Sequence, residues 1–232
     1  LEFSAVAIAN HLLCHSNSPL AQTFSECDKF LHVKLFPLFL KLEGRPCLVV
    51  GAGTVAEGKI AGLLDTGAQL CVVAPHATAQ VVQWAKSSRV EYKQRAFETA
   101  DLDGMFLVVA STPDTQMHRK IFEEAQKRGV LCNIVDVPEL CDFYYPAVVQ
   151  RGALQIAVST SGESPALAQR LRKELEAQYG AEYGAWLESL GDARAKLQAD
   201  KGLDPEERKR RLHALVTEEA FGAFVRRQKI SG

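Results

Sequence analysis

The stretch from Pro46 to Pro75, PCLVVGAGTVAEGKIAGLLDTGAQLCVVAP, leaves this chain few ways to fold. A short apolar run, Cys47 to Val50, leads into Gly51-Ala52-Gly53-Thr54-Val55-Ala56. A helix-like segment follows, and a second apolar run, Leu70 to Ala74, closes the unit. Strand, tight turn, helix and strand in that order form the first half of a dinucleotide-binding fold. Gly51 permits the sharp turn out of the strand. Gly53 carries no Cβ, so a pyrophosphate can approach the backbone, and Ala56 keeps the helix close to the sheet. The free amides at the helix start then face the phosphates. A bare GxGxxA also occurs in purely structural turns. Placed between two buried-strand patterns, it predicts a nucleotide site.

One part of that unit is missing. The second strand ends Val73-Ala74-Pro75-His76, without the acidic residue that usually binds the adenosine ribose. Chemistry alone therefore leaves NAD and NADP open. No Arg follows to hold a 2′-phosphate, which tips the reading toward NAD.

The doubly wound pattern continues. Thr78 to Lys86 reads as a helix, Val90 to Lys93 as a short strand, and Phe97 to Asp103 as a loop or turn. Met105 to Ala110 (MFLVVA) has the continuous apolar character of a central parallel strand. A helix over Asp114 to Arg128 ends at Gly129, and Leu131 to Val135 is a fifth strand. Strands alternating with helices predict a parallel sheet whose carboxyl edge binds ligands. Gly51, Pro75, Ser111 with Thr112, and Asp136 should line that rim. Asp114 reads first as a helix N-cap. Asp136 sits at a strand end where no helix clearly needs a cap, so its carboxylate is a candidate to accept a proton or approach a metal.

Beyond Asp136 the repeat stops. Phe143 to Val149 and Leu154 to Thr160 are β-rich runs around Gln150-Arg151-Gly152-Ala153, the pattern of a hairpin or arm. Ser164 then caps a helix with Pro165 in its first turn and Leu167, Leu171 and Leu175 as its stripe. A second helix carries Tyr183, Trp186, Leu187 and Leu190. A third starts at Asp204-Pro205 and extends through Phe224. The expected organisation is an N-terminal extension over residues 1–33, poorly ordered, and a Rossmann domain over 34–142. A β-arm suited to dimerisation over 143–164 and an all-helical domain over 165–232 complete it.

Composition excludes several classes. A formal net charge of -1 over 232 residues gives no electrostatic case for nucleic acid or an anionic membrane. No apolar run approaches the roughly 18–20 residues that span a bilayer. The six cysteines form no CxxC pair and no zinc-ligand spacing, so no resident metal site is expected and a reduced, cytoplasmic setting is the simplest reading. The basic run Arg208 to Arg211 reads as a solvated helix face.

Several motifs together resemble a known family. VVGAGTVAEGKIAGLLDTGAQLCVVAP, VVASTPD, the NxVD segment Asn133 to Asp136 and the STSGxSPxLAxxLR segment Ser159 to Arg172 resemble the precorrin-2 dehydrogenase / sirohydrochlorin ferrochelatase family. These are relatives of the N-terminal half of siroheme synthase, and the resemblance runs from about Leu35 to Leu197. It implies oxidation of precorrin-2 to sirohydrochlorin with NAD⁺ in siroheme biosynthesis. Members that also insert ferrous iron treat it as a substrate, and other members only dehydrogenate. By the same resemblance, Thr54 and Val55 match a pair that contacts NAD, and Pro75 and His76 match contacts near the adenine ribose. Asp136 matches an aspartate implicated in both activities. Thr160 matches an active-site serine that is phosphorylated in some members. Asn133, Thr160, Ser161 and Arg151 are the residues expected to face the substrate, whose many carboxylates also make Arg119 and Arg170 candidates. A homodimer is implied. The alternatives are a dehydrogenase without chelatase activity, a chelatase on a Rossmann scaffold, and a nucleotide-sensing Rossmann module.

Overall fold

The structure, a computed structural model, describes residues 34–231. The extension expected over residues 1–33 lies outside the described residues. Residues 34–37 carry no regular structure, and every element named below belongs to the compact unit Leu38–Gly232.

Among the described residues five strands form one parallel sheet: β1 (Pro46–Val50), β2 (Gln69–Val73), β3 (Glu91–Lys93), β4 (Leu107–Ala110) and β5 (Leu131–Ile134). Their order is β3-β2-β1-β4-β5. β4 is buried along its whole length because both sheet faces are covered. On one face Cys47, Val49, Leu70, Val72, Leu107 and Val109 meet Ala56, Ile60 and Leu63 of α1 (Thr54–Leu64) and Val81 of α2 (Ala79–Lys86). On the other, Leu48, Val50, Cys71, Val73, Val108 and Ala110 meet Ile121 and Ala125 of α3 (Thr115–Arg128). The alternation of side chains along a strand assigns each residue to its layer. Burial pushes the thiols of Cys47 and Cys132 up to about 11 and about 12, so both are inert packing groups.

The local signals for α3 hold. Asp114 accepts hydrogen bonds from the Gln116 and Met117 amides at 2.9 and 3.1 Å, and Gly129 ends the helix at φ +67°. The segment expected as a loop after Phe97 contains a 3₁₀ turn, Thr99–Leu102.

After β5 the chain passes a 3₁₀ turn (Pro138–Leu140) and doubles back, with Cys141 bridged antiparallel to Asn133. The hairpin comprises β6 (Ala147–Arg151) and β7 (Leu154–Val158), turning at Gly152 with φ +56°. β6 begins four residues later than its apolar run suggested. Pro146 has no amide to donate to a ladder, and Phe143 is used against the core under α1.

Four helices follow: α4 (Pro165–Gln178), α5 (Glu182–Ala199), α6 (Pro205–Ala214) and α7 (Glu218–Ser231). Two corrections arise here. The expected third tail helix is two helices, because the Thr217 hydroxyl accepts from the Ala220 amide at 3.2 Å and starts a new one. On α4 the buried position is Ala168, whereas Leu167 is 44% exposed. Tyr183 and Trp186 of α5 pack on Phe221 of α7 with ring centroids 4.5 and 4.8 Å apart. The hairpin is fastened to these helices by a close approach of backbone. A Cβ added to Gly184 would lie 3.2 Å from the Arg151 carbonyl. Among the described residues no helix is long and apolar enough to cross a membrane.

Candidate active site

Strand order reverses direction between β1 and β4, so their carboxyl ends part and leave a crevice. In register, Val50 lies beside Ala110 and Ala110 beside Ile134, which brings Gly51, Ser111 and the residues after Ile134 to one rim. The Ser111 amide donates to Val50 O at 2.8 Å, and the Val135 amide to Ala110 O at 2.9 Å. The end of β5, just before Asp136, thus stands two strand spacings from the glycine turn, roughly 10 Å.

The turn is built to admit a ligand. Gly51 has φ +103°, and a Cβ there would overlap the Ser111 carbonyl, so protein packing alone demands glycine. Gly53 is different: a Cβ there meets nothing within 4 Å. The open space lies in front of α1, whose N-cap Gly53 supplies no side-chain cap. The first-turn amides are left for an anion, and Thr54 and Val55 stand exposed beside them. These features fit a dinucleotide pyrophosphate. Thr112 packs its methyl against the position a Gly51 Cβ would take, and among the described residues its buried hydroxyl has no hydrogen-bond partner.

Pro75 and His76 are exposed after β2. Behind them lies a carboxylate that sequence reasoning overlooked. Glu57, on the first turn of α1, accepts a 2.6 Å hydrogen bond from the Thr78 hydroxyl, and the Thr78 amide donates to Ala52 O at 3.0 Å. The loop after β2 is thereby tied to the glycine turn.

Asp136 is exposed and adopts φ +63°, a left-handed conformation rare outside glycine. Among the described residues its carboxylate makes no hydrogen bond and no ion pair within 4 Å. It does act on Lys59 of α1, the second residue missed by inspection. Burial lowers the Lys59 pKa, and the Asp136 charge pulls it back up. The signal was available: Glu57 and Lys59 are two apart, so they leave the helix on opposite flanks.

The residues expected to face a substrate do not converge. Asn133 is buried, and its amide donates to Phe143 O at 2.8 Å, latching the returning chain to β5. The Arg151 guanidinium donates to Tyr179 O at 2.9 Å and Glu176 O at 3.0 Å, closing the carboxyl end of α4. Both groups are occupied by the fold. The Thr160 hydroxyl accepts from the Ser164 amide at 3.2 Å, while Ser161 is exposed at φ +54°. They shape the loop ahead of α4. Arg170 pairs with Glu174 at 2.7 Å on the surface. His118 is buried, its Nε2 2.7 Å from Thr112 O, which is a packing role. Among the described residues no three His, Cys, Asp or Glu side chains gather to hold a metal ion.

Comparison with known proteins agrees with this fold. Residues 38–147 match a family model described as putative NAD(P)-binding, and residues 151–178 match one described as sirohaem biosynthesis protein central. Siroheme synthases are similar: that of Methylococcus capsulatus is 38% identical over 75% of this chain and 36% of its own. That of Pseudomonas fluorescens is 37% identical over 86% of this chain and 42% of its own. The chain is thus similar, over three-quarters of its own length, to siroheme synthases. It spans roughly a third to two-fifths of the length of these curated relatives. Among solved structures, a precorrin-2 dehydrogenase, SirC, superposes with a TM-score of 0.72 at 27% identity, over 84% of this chain and 96% of that one. These likenesses agree with the parallel α/β architecture and support a nicotinamide cofactor.

Proposed function

We propose that this chain oxidises precorrin-2 to sirohydrochlorin with NAD⁺. The observation that carries the reading is Asp136, an exposed carboxylate held in a left-handed backbone conformation on the same rim as the glycine turn. The resemblance to SirC and to siroheme synthases supports the substrate class.

NAD⁺, when bound, supplies the hydride-accepting ring. Gly53 and the first amides of α1 hold its pyrophosphate, Thr54 and Val55 flank it, and Ser111 and Thr112 border the inner end of the crevice. Oxidation removes a proton as well as a hydride, and the free carboxylate oxygens of Asp136 accept it. Preference for NAD⁺ over NADP⁺ is supported by charge. The turn after β2 offers no Arg or Lys from Pro75 to Thr78 and is tied instead to the Glu57 carboxylate. A 2′-phosphate would meet a negative group there.

Iron insertion belongs to the same proposal as a second use of Asp136. Removing two pyrrole protons while Fe²⁺ enters calls for an unpaired base on an open rim. The chain works as a homodimer in this reading, with the arm over 143–164 and the helical domain over 165–232 as its pairing region. Val148 of β6 is 39% exposed, and β6 and β7 pair only with each other among the described residues. A reduced, cytoplasmic setting completes it.

Two incubations test the proposal. Precorrin-2 with NAD⁺ should yield the sirohydrochlorin spectrum, and sirohydrochlorin with Fe²⁺ alone should yield that of sirohaem. Change in the first mixture only leaves a dehydrogenase, change in the second only a chelatase. No change in either removes the catalytic reading and leaves a nucleotide sensor.

A further inference from the structure

Lys59 is a half-buried ammonium with no acceptor among the described residues. Among the described residues its Nζ makes no hydrogen bond and no ion pair; it lies 3.8 Å from the centroid of the Tyr145 ring. An ammonium carries three donors and normally satisfies them with water or a carboxylate. An aromatic face offsets part of the lost hydration but accepts no conventional hydrogen bond. Burial indeed lowers the affinity of this group for its proton, and only the field of Asp136 opposes that. The protein keeps a positive charge partly out of water and leaves its donors unspent.

Its direction is equally informative. α1 follows β1, with β2 on one side in the sheet and β4 then β5 on the other. Glu57 reaches toward the β2 side, to Thr78. Lys59 leaves the opposite flank, toward Tyr145 and Asp136 on the chain that follows β5. One helix therefore offers its carboxylate to the adenosine half of the crevice and its ammonium to the half where chemistry occurs. The dinucleotide phosphates are not the natural partner of Lys59. They would sit before Thr54, five residues up the helix, about 7–8 Å along its axis.

We infer that Lys59 is a substrate-binding residue, held on the Tyr145 ring to receive a carboxylate of the tetrapyrrole and so to set the macrocycle over Asp136. This rests on the tetrapyrrole reading above. The ammonium supplies charge-assisted hydrogen bonds to an anion that already prefers a partly desolvated cation. Tyr145 fixes where the ammonium waits, which limits the side-chain entropy lost on binding.

Fluorescence titration with sirohydrochlorin, beside titration with NAD⁺, tests the inference on the wild type, Lys59→Met and Lys59→Arg. Methionine keeps the length and apolar stem of lysine and removes only the charge. Lys59→Met should weaken sirohydrochlorin roughly tenfold or more, as expected for loss of a hydrogen bond to a charged group. NAD⁺ binding should stay within twofold, and Lys59→Arg should recover most of the loss. If Lys59→Met binds sirohydrochlorin as tightly as wild type, the inference is overturned while the function stands. Parallel loss of NAD⁺ and sirohydrochlorin would also overturn it, because the residue would then be structural. Wild type that binds NAD⁺ but no sirohydrochlorin would instead remove the tetrapyrrole reading, and the inference with it.

Discussion

The carbonyl oxygen of Ser111 occupies the space that a side chain on Gly51 would need. β1 and β4 separate immediately beyond this contact, so the first glycine of the turn is fixed by the sheet and not by any ligand. Gly51→Ala should cost about 2–4 kcal/mol, combining positive-φ strain with overlap against rigid backbone. A Cβ at Gly53 meets no neighbour, so Gly53→Val should leave the urea midpoint nearly unchanged while abolishing NAD⁺ binding. Denaturation and cofactor titration on the two variants separate the roles. An NAD⁺ titration of Gly53→Val that matches wild type would refute the phosphate-turn assignment.

Asp136 carries backbone strain that another residue would relieve. Asp136→Gly should gain about 0.5–1 kcal/mol of stability, because glycine adopts φ +63° without a Cβ penalty. Asp136→Ala keeps the strain. Both should lower precorrin-2 turnover about 100-fold or more, the usual weight of a general base, with NAD⁺ affinity nearly unaffected. Equal losses of turnover and cofactor binding would reassign Asp136 to bracing the loop.

The fold was legible because its signals are local. Apolar runs of four or five residues, the glycines at 51 and 53, the Asp114 cap and the Gly129 stop each act within one turn or strand. The site was only partly legible because it is assembled by topology. Asp136 could be placed on the rim from strand order, but Glu57 and Lys59 acquire meaning only once Thr78 and Tyr145 arrive from 21 and 86 positions away. Asn133 and Arg151 show the converse. Their place in recognisable motifs suggested contact with substrate, whereas the folded chain uses Asn133 to hold Phe143 and Arg151 to close α4. The split of the last helix was signalled by Thr217-Glu218-Glu219, a cap followed by acids, and was masked by the apolar spacing running across it.

Acid stability should depend on Asp101. Burial alone would raise its pKa, but two hydrogen bonds from Arg95, at 2.8 and 2.5 Å, and one from the Glu98 amide at 3.0 Å outweigh that and lower it. A carboxyl whose folded pKa is depressed contributes stability above its unfolded value, near 3.8, and loses it as pH falls through the lower folded value. Asp101→Asn should therefore cost about 1.5–3 kcal/mol at neutral pH, the range for hydrogen bonds to a charged group. The difference from wild type should shrink below about pH 4. Urea unfolding of both proteins at pH 7 and pH 3 checks this, and a gap of the same size at both values would exclude Asp101 as the source.

Cofactor choice should respond to Glu57, although no ligand contact by this residue is needed for the effect. The loop after β2 lacks the acid that commonly reads the ribose, and it is joined by Thr78 to a carboxylate rooted in α1. A carboxylate near a bound 2′-phosphate would repel it through partly exposed surroundings, by roughly 0.5–1.4 kcal/mol, or about two- to tenfold in affinity. Glu57→Gln keeps a hydrogen-bond acceptor for Thr78 and removes the charge. It should improve NADP⁺ binding by that factor while NAD⁺ changes little, and added salt should diminish the wild-type preference more than that of the variant. If Glu57→Gln weakens both nucleotides alike, the Thr78 bond serves only to hold the loop, and the preference for NAD⁺ must arise elsewhere on the rim.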